Sequence, residues 1–505
     1  MSRKISNLLF SLFFVGFSFS QNSFVKDSLD RYIDREIKRW QIPGVAVAII
    51  KDTQVVYMKG FGYSNIETKK KVNETTLFQI ASNSKAFTGT SLAILEYQKK
   101  LSLQDKVIKR LPYFKLKEDY PTQQTTIADL LSHKIGFSTF QSDFLNWGCN
   151  MTRKQLIENM RNVTPSYGFR EKFGYCNVAF LTAGEIIPAV CDTSWDDFLK
   201  YRFFEPLKMT RTSTSFSKIE ADENACLPYT MYEGKLYRLA RANVDNLGPA
   251  ASINSCVKDL SNWLIAQVNL GKFEGNNVIP AEALLRTRES NTIIRSRGDE
   301  ANKNYFETYG LGWFMKDYHG SKVIWHDGGA DGFVTTTCFL PNEKIGIVVL
   351  TNTDASGFYG DLRDMIIDAY LNVPYTNYST LDYNQTKYYK GLDDAEQNKW
   401  REQADKKEKW KLDQKKLEGE YKNEVYGKVT IKMANGQLEV LFEHHPLLSA
   451  SLEYLEGNKF LCTYSNPTYG IKQADVTLEK EKVKGITLRV NSFLDYGEYL
   501  FLKIK

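Results

Sequence analysis

The sequence has little that would hold a metal, grip a nucleic acid or cross a membrane. Its seven cysteines, Cys149, Cys176, Cys191, Cys226, Cys256, Cys338 and Cys462, are widely scattered and form no CxxC pair. That removes the usual spacing of a zinc site, so no metal is expected. An odd count also leaves at least one thiol unpaired, even in an oxidising compartment. The net charge is only +6 over 505 residues, and two of those units sit on Arg3 and Lys4. So small a surplus gives no reason to expect a nucleic-acid partner. Beyond Phe19 no apolar run is long enough to span a bilayer, and no transmembrane segment is expected in the mature chain.

What is present is the balance of a soluble globular protein, with 42% hydrophobic and 25% charged residues. The length calls for more than one core. Residues 1–20 read as a cleavable signal peptide: a basic start at Arg3-Lys4, an apolar stretch from Leu8 to Phe19, and small Ser18 and Ser20 before a cut at Gln21. Residue 21 is not cysteine, which argues against a lipid anchor, and the stretch is too short to make a good uncleaved one. A periplasmic or secreted location is the expectation.

Four regions follow from the pattern: residues 1–20 as signal, 21–372 as a mixed domain, 373–416 as a linker and 417–505 as a small β domain. Leu29, Tyr32, Ile33 and Ile37 recur at helical spacing, and Pro43-Gly44 ends that helix. Val45 to Ile50 and Val55 to Tyr57 read as strands, the middle of the chain as mainly helical, and 323–326, 334–340 and 345–350 as strands again. Strands at both ends of a helical middle predict one sheet built from the two ends of the domain. Asp393 to Lys416 is densely charged and reads as a solvated linker helix capped at Asp393 or Asp394. Past Leu417 the period becomes two, with Val429, Ile431 and Met433, an Asn435-Gly436 turn, then Leu438, Val440 and Phe442. Nothing in this last domain asks for chemistry.

Three short motifs do. In Ser82-Asn83-Ser84-Lys85 the i, i+3 spacing puts a hydroxyl and an ammonium on one helix face. A serine is a poor nucleophile until a base takes its proton, and a lysine can serve once burial lowers its pKa. In Tyr175-Cys176-Asn177 a phenol beside a lysine can hold a depressed pKa and act as base, then acid, while the Asn177 amide can both donate and accept. In His326-Asp327-Gly328-Gly329, at a strand end, the glycines let a substrate backbone lie close and leave N–H groups free for an oxyanion. Taken singly, the first two motifs are better read as a chance helix pair and a capped buried tyrosine, and His326 as a structural histidine, while Asp327 and the glycines equally suit a hairpin turn.

In this order, with Ile42-Pro43-Gly44, Leu130-Leu131-Ser132-His133, Glu205-Pro206-Leu207 and Tyr309-Gly310-Leu311-Gly312-Trp313 between and around them, the chain resembles the class C β-lactamase-like serine hydrolases over residues 24–370. That group includes penicillin-binding D-Ala-D-Ala carboxypeptidases, D-aminopeptidases and some esterases. The resemblance implies an α+β fold of the β-lactamase/transpeptidase type, with an antiparallel sheet flanked by helices, a helical subdomain and the site in the cleft between. The C-terminal part resembles the small β-barrel-like domain appended to many such hydrolases, which in some relatives approaches the cleft or mediates assembly. The implied roles are Ser82 as nucleophile, Lys85 as proton acceptor and Tyr175 as base and acid. Asn177 and His326 would contact substrate, and the N–H groups of Ser82 and Gly329 beside Gly328 would form the oxyanion hole. No cofactor is implied.

Asp327 departs from the pattern, standing where penicillin recognisers usually carry a hydroxyl that meets the substrate carboxylate. An anion facing the site would repel that group. The expectation is therefore an exported hydrolase of a neutral ester or amide, acting on a small molecule or peptide through an acyl-enzyme. The alternatives are a D-Ala-D-Ala carboxypeptidase or β-lactamase, and, from another class, a catalytically silent cell-wall peptide or antibiotic sensor. His133 reads as structural, and His444-His445 as poor metal ligands because neighbours on a strand face opposite ways. Phe137, Phe140, Phe144 and Trp147 read equally as an apolar pocket wall or as core packing.

Overall fold

Val45 to Ile50 is apolar at every position, and it becomes a strand buried on both faces. In the computed structural model, which describes residues 23–298 and 303–505, this strand, Gly44–Lys51 (β1), lies inside a nine-stranded sheet. The signal-peptide reading falls on residues outside those described.

The other sheet strands are Gln54–Asn65 (β2), Lys70–Lys71 (β3), Thr292–Arg295 (β4), Glu307–Tyr309 (β5), Phe314–Tyr318 (β6), Ser321–Ala330 (β7), Phe333–Leu340 (β8) and Ile345–Thr351 (β9). Their order is β4-β5-β6-β7-β8-β9-β1-β2-β3, so β1 pairs antiparallel with β9 (Val45 opposite Thr351) and the two ends of the domain close one sheet, as the pattern predicts.

The period of two in β1 sorts its side chains between two cores. Val45, Val47 and Ile49 pack beneath the helices Leu29–Arg39 (α1) and Phe358–Leu371. Ala46, Ala48 and Ile50 face the helical middle of the chain, which includes Ser84–Tyr97 (α2) and Val257–Val268. The small Ala46 and Ala48 let that layer approach, with each fully buried large aliphatic contributing about 1.5–3 kcal/mol. In this layer Ile127–Leu131 forms the expected short helix, closed by a capping box between Thr126 and Asp129.

The charged segment departs from expectation at its start and at its end, which falls at Asp405 and not at Lys416. Its helix runs from Tyr378 to Asp405 and is capped by the Asn377 side chain, well before Asp393. Its first turns are anchored to the mixed domain along one side. Trp40 donates to Ser379 Oγ at 2.8 Å, Tyr378 donates to Asp368 Oδ2 at 2.7 Å, and Tyr383 packs edge-on against Trp40. Packing on α1 overrides the weak helix preference of that Tyr-, Asn- and Thr-rich stretch. At the far end Trp400 packs against Leu455, Leu461 and Ile471.

The C-terminal region is a closed eight-stranded barrel spanning Gly419 to Lys503, in which each strand pairs with the next and the last pairs with the first through Tyr421 and Lys503. Val429, Ile431, Leu438, Val440 and Phe442 all point inward, and Asn435 and Gly436 take the left-handed conformations a two-residue hairpin turn requires. One mouth of the barrel is stoppered by the helical subdomain. Phe144 enters it, with ring centroids 4.8 Å from Tyr426 and 5.3 Å from Tyr499. His445 donates from Nε2 to the Trp147 carbonyl at 2.8 Å and takes the Tyr426 hydroxyl on Nδ1 at 2.6 Å. Among the described residues no helix is long and apolar enough to cross a membrane, and no cluster of His, Cys, Asp and Glu could hold a metal ion.

Candidate active site

Ser82 sits in the tight turn Ala81–Asn83 that leads into α2. Ala81 has φ +45°, a left-handed conformation that costs an alanine about 1–2 kcal/mol. The turn is held by Asn83, which donates from Nδ2 to the Ile80 carbonyl and to Thr335 Oγ1, both at 3.0 Å, and accepts the Thr337 hydroxyl at 2.6 Å. The nucleophile candidate is thereby riveted to β8. Gly328 on β7 completes the fit, since a Cβ there would lie 2.1 Å from the Ile80 carbonyl oxygen.

In the first turn of α2, the Lys85 ammonium lies 3.1 Å from Ser82 Oγ, 2.6 Å from Asn177 Oδ1 and 3.0 Å from the Ala250 carbonyl. Lys85 is wholly buried, and burial brings its pKa down to about 7, against a counter-pull from the anion of Asp143. Asn177 opens the helix Asn177–Gly184 and uses its other end to donate from Nδ2 to Asp143 Oδ2 at 2.6 Å.

Tyr175 reaches the same point: its phenol lies near enough to Ser82 to interact with it, and its ring centroid lies 4.6 Å from the Lys85 nitrogen. The expected depression of its pKa is not found. Burial pushes the phenol up, and Asp143 and Asp327 add to the push, so the tyrosine rests protonated. Beneath it His133 packs against the ring, tilted by 31° with centroids 4.4 Å apart, and accepts the Cys176 N–H on Nδ1 at 3.0 Å, a structural role as expected.

His326 is buried on β7 with both nitrogens engaged. Nδ1 lies 2.6 Å from the Asp327 carbonyl, which can only accept, so Nδ1 carries the proton and Nε2 accepts the Tyr309 hydroxyl at 2.9 Å. Burial, reinforced by Lys85, brings its pKa down to about 3. It meets the cleft as a neutral wall. Asp327 lies on the rim with its carboxylate 3.0 Å from the buried Arg363 guanidinium, which offsets the repulsion expected of a free anion there.

These groups face one cavity of about 590 Å³. Sequence reasoning located Ser82, Tyr175, Asn177, His326, Gly328 and Gly329 around it, with Lys85 at its base, but missed Asn83, Asp143 and the particular barrel residues that reach it. The loop after the strand Lys482–Arg489 brings Asn491, Phe493 and Tyr496 into the lining. Phe493 lies over Gly329, 3.2 Å from where a Cβ would be, and Tyr496 stacks on Phe140 with centroids 5.9 Å apart. No local signal in residues 490–497 marks them for this. Both readings of the aromatic loop hold in part: Phe140 and Trp147 line the cavity, while Phe137 and Phe144 are core.

The walls Phe140, Phe173, Phe314, Tyr359, Phe493 and Tyr496 suit an apolar or aromatic substrate group. Phe493→Ala and Tyr496→Ala are each expected to lower kcat/KM for a bulky acyl ester about tenfold while changing that for an acetyl ester by less than about threefold. A series of p-nitrophenyl esters of increasing acyl size measures this, and equal losses across the series would remove the barrel loop from selectivity.

A family model described as Beta-lactamase matches residues 29–372. Among curated proteins the chain is similar to Protein flp of Staphylococcus aureus strain N315, at 27% identity over 333 residues, covering 65% of this chain and 64% of that protein. It is also similar to the Unguisins hydrolase ungD' of Aspergillus campestris, at 26% identity over 342 residues, covering 65% and 61%. The match thus spans a little under two thirds of each relative. Among solved structures it resembles an octameric penicillin-binding protein homologue from Pyrococcus abyssi, with TM-score 0.59 and 22% identity over 94% of this chain and 99% of that one, a likeness of fold.

Proposed function

This chain belongs to the beta-lactamase family, and from that premise we propose that it is an exported serine hydrolase that cleaves a neutral ester or amide through an acyl-enzyme on Ser82. One observation carries the reading: a wholly buried lysine with a pKa near 7 lies 3.1 Å from a serine hydroxyl at a helix start. Ser82 Oγ attacks the substrate carbonyl carbon as its proton passes to Lys85. The N–H groups of Ser82 and Gly329 receive the oxyanion, with the helix dipole behind Ser82 adding to the field. Collapse breaks the bond to the leaving group, which takes the Tyr175 proton, and Lys85 restores that proton to the phenolate. Water then attacks the ester, yielding its proton to the same pair, and Ser82 leaves as the free alcohol. A phenol that rests protonated holds the proton the acid step needs, and the lowered lysine pKa suits the base.

The apolar walls and the acidic lining residues Asp143 and Asp327 support a neutral or cationic substrate over an anionic one. The pairing of Asp327 with Arg363 keeps a second reading in play, a D-Ala-D-Ala carboxypeptidase or β-lactamase, because the rim carries less net negative charge than the sequence implies. A panel of p-nitrophenyl esters, D-amino-acid amides and nitrocefin separates them. Turnover of esters or amides with slow nitrocefin hydrolysis is expected, and nitrocefin as the best substrate would overturn the preference. A serine-directed phosphonate should add mass to the native protein and none to Ser82→Ala, whereas an unlabelled native protein would indicate a silent sensor.

The pH dependence has a definite sign. Proton acceptance needs neutral Lys85, so kcat/KM should rise through an acid limb near pH 7 and fall about tenfold per unit below it. Asp143 is itself raised to about 7 by burial and by Asp495, so the limb belongs to the coupled pair. A rate independent of pH between 5 and 8 would remove Lys85 as the base.

A further inference from the structure

Asp143 has no place in the mechanism above, yet it is 3% exposed, lines the cavity and makes a 2.6 Å bond to Asn177. The Asn177 amide could in principle sit either way round. Only one orientation turns its oxygen to the Lys85 ammonium; the other would set an N–H₂ group against it. When ionised, Asp143 accepts and cannot donate, so in that state it admits the Nδ2 end alone, the orientation seen here. Its own position is fixed from outside the helical subdomain. Asp143 opens the short turn Asp143–Asn146, and Asp495, in the loop of the barrel, accepts the N–H of Phe144 at 3.1 Å. Asp495 is held in turn by the Gly497 N–H at 2.7 Å and the Tyr499 hydroxyl at 2.5 Å.

We propose that Asp143 is a positioning residue for the reaction: anchored by Asp495 of the barrel, its carboxylate fixes the Asn177 amide so that the oxygen faces Lys85 and the lysine is aimed at Ser82. The inference rests on the reading of Lys85 as proton acceptor. It makes the barrel part of the catalytic apparatus, joined to it by the chain Asp495, Phe144 N–H, Asp143, Asn177, Lys85.

The arrangement sets a charge as well as a geometry. The groups facing Lys85 are Asp143, Cys176, Tyr175, His133 and His326, and of these Asp143 is the first to raise its pKa. Facing Asp143 are Asp495, Asn146, Asn177 and Lys85. Removing the Asp143 anion should therefore let Lys85 lose its proton at lower pH.

Full-length Asp143→Leu and Asp143→Asn, with p-nitrophenyl acetate as probe, test this. Leucine removes the acceptor, and kcat should fall about 30-fold or more with KM changed less than about threefold. Asparagine keeps a carbonyl acceptor for Asn177 Nδ2, although its own N–H₂ then meets Asn146. It should recover kcat to within about tenfold of the native value and move the acid limb of kcat/KM to lower pH. Asp143→Leu with native kcat, or an Asp143→Asn limb unmoved from the native pH, overturns the proposal. Should Asp143→Leu fail to fold by thermal melt, the limb of Asp143→Asn decides alone. Lys85→Ala tells the two failures apart: if it keeps native turnover the base assignment falls, and if it is inactive while both Asp143 variants match the native enzyme only the positioning role falls.

Discussion

Ser82→Ala is expected to lower kcat/KM by at least about 10³-fold and to abolish labelling by a serine-directed phosphonate, a loss of about 4 kcal/mol or more of transition-state stabilisation. Lys85→Ala should do nearly the same, since the hydroxyl attacks only as fast as its proton leaves, and the 3.1 Å contact puts Lys85 within reach of that proton. Truncation also strands two acceptors, Asn177 Oδ1 and the Ala250 carbonyl, in a buried site. Lys85→Met, which keeps most of the volume, therefore separates lost chemistry from lost packing. The double variant Ser82→Ala/Lys85→Ala should be hardly worse than either single one, because groups that act as a unit fail together. Steady-state kinetics with a thermal melt of each variant measures this. Native turnover in Lys85→Met would take the lysine out of the proton path.

The second large effect should come from a single methyl group. Gly328→Ala puts a Cβ 2.1 Å from the Ile80 carbonyl oxygen, 2.7 Å from Thr335 Oγ1 and 2.9 Å from Asn83 Nδ2. The first of these is backbone and cannot rotate away, so the Ser82 turn must move off β7. Overpacking of this kind costs about 1–3 kcal/mol of stability, and displacing a nucleophile by about 1 Å costs on the order of 10² in rate. Gly329→Ala is the control for the fold. Its Cβ would meet only the Phe493 ring at 3.2 Å, a side chain able to shift, and stability should stay within about 1 kcal/mol of native. Equal melting temperatures and equal rates for Gly328→Ala and the native enzyme would show that the close approach does not position Ser82.

Local pattern was enough to find elements whose cause is local. The alternation through Val429, Ile431, Leu438, Val440 and Phe442 with Asn435-Gly436 between them specified a hairpin, and that hairpin is in the barrel. The Ser82 and Lys85 spacing specified neighbours on one helix face, and they touch. Where the cause is distant, reading along the chain fell short. The helix expected to begin at Asp393 or Asp394 begins at Tyr378, because Trp40 and Asp368 bind its first turns. Asp327 looked like a free anion at the site, and Arg363 on a following helix takes up its charge.

By itself, then, the sequence determined which atoms are available for chemistry: a hydroxyl and an amine one helical turn apart, a phenol ahead of an amide, and a strand end without side chains. Chirality and the helical repeat make those relations unavoidable once the segments form. Tertiary structure alone decided which of these groups hold their protons at rest. The lysine pKa falls and the phenol pKa rises because both are stripped of water by segments far away in the chain, and the amide at 177 is oriented by a carboxylate that the last loop of the barrel holds in place. Desolvation depends on everything packed around a group, so no run of neighbouring residues encodes it.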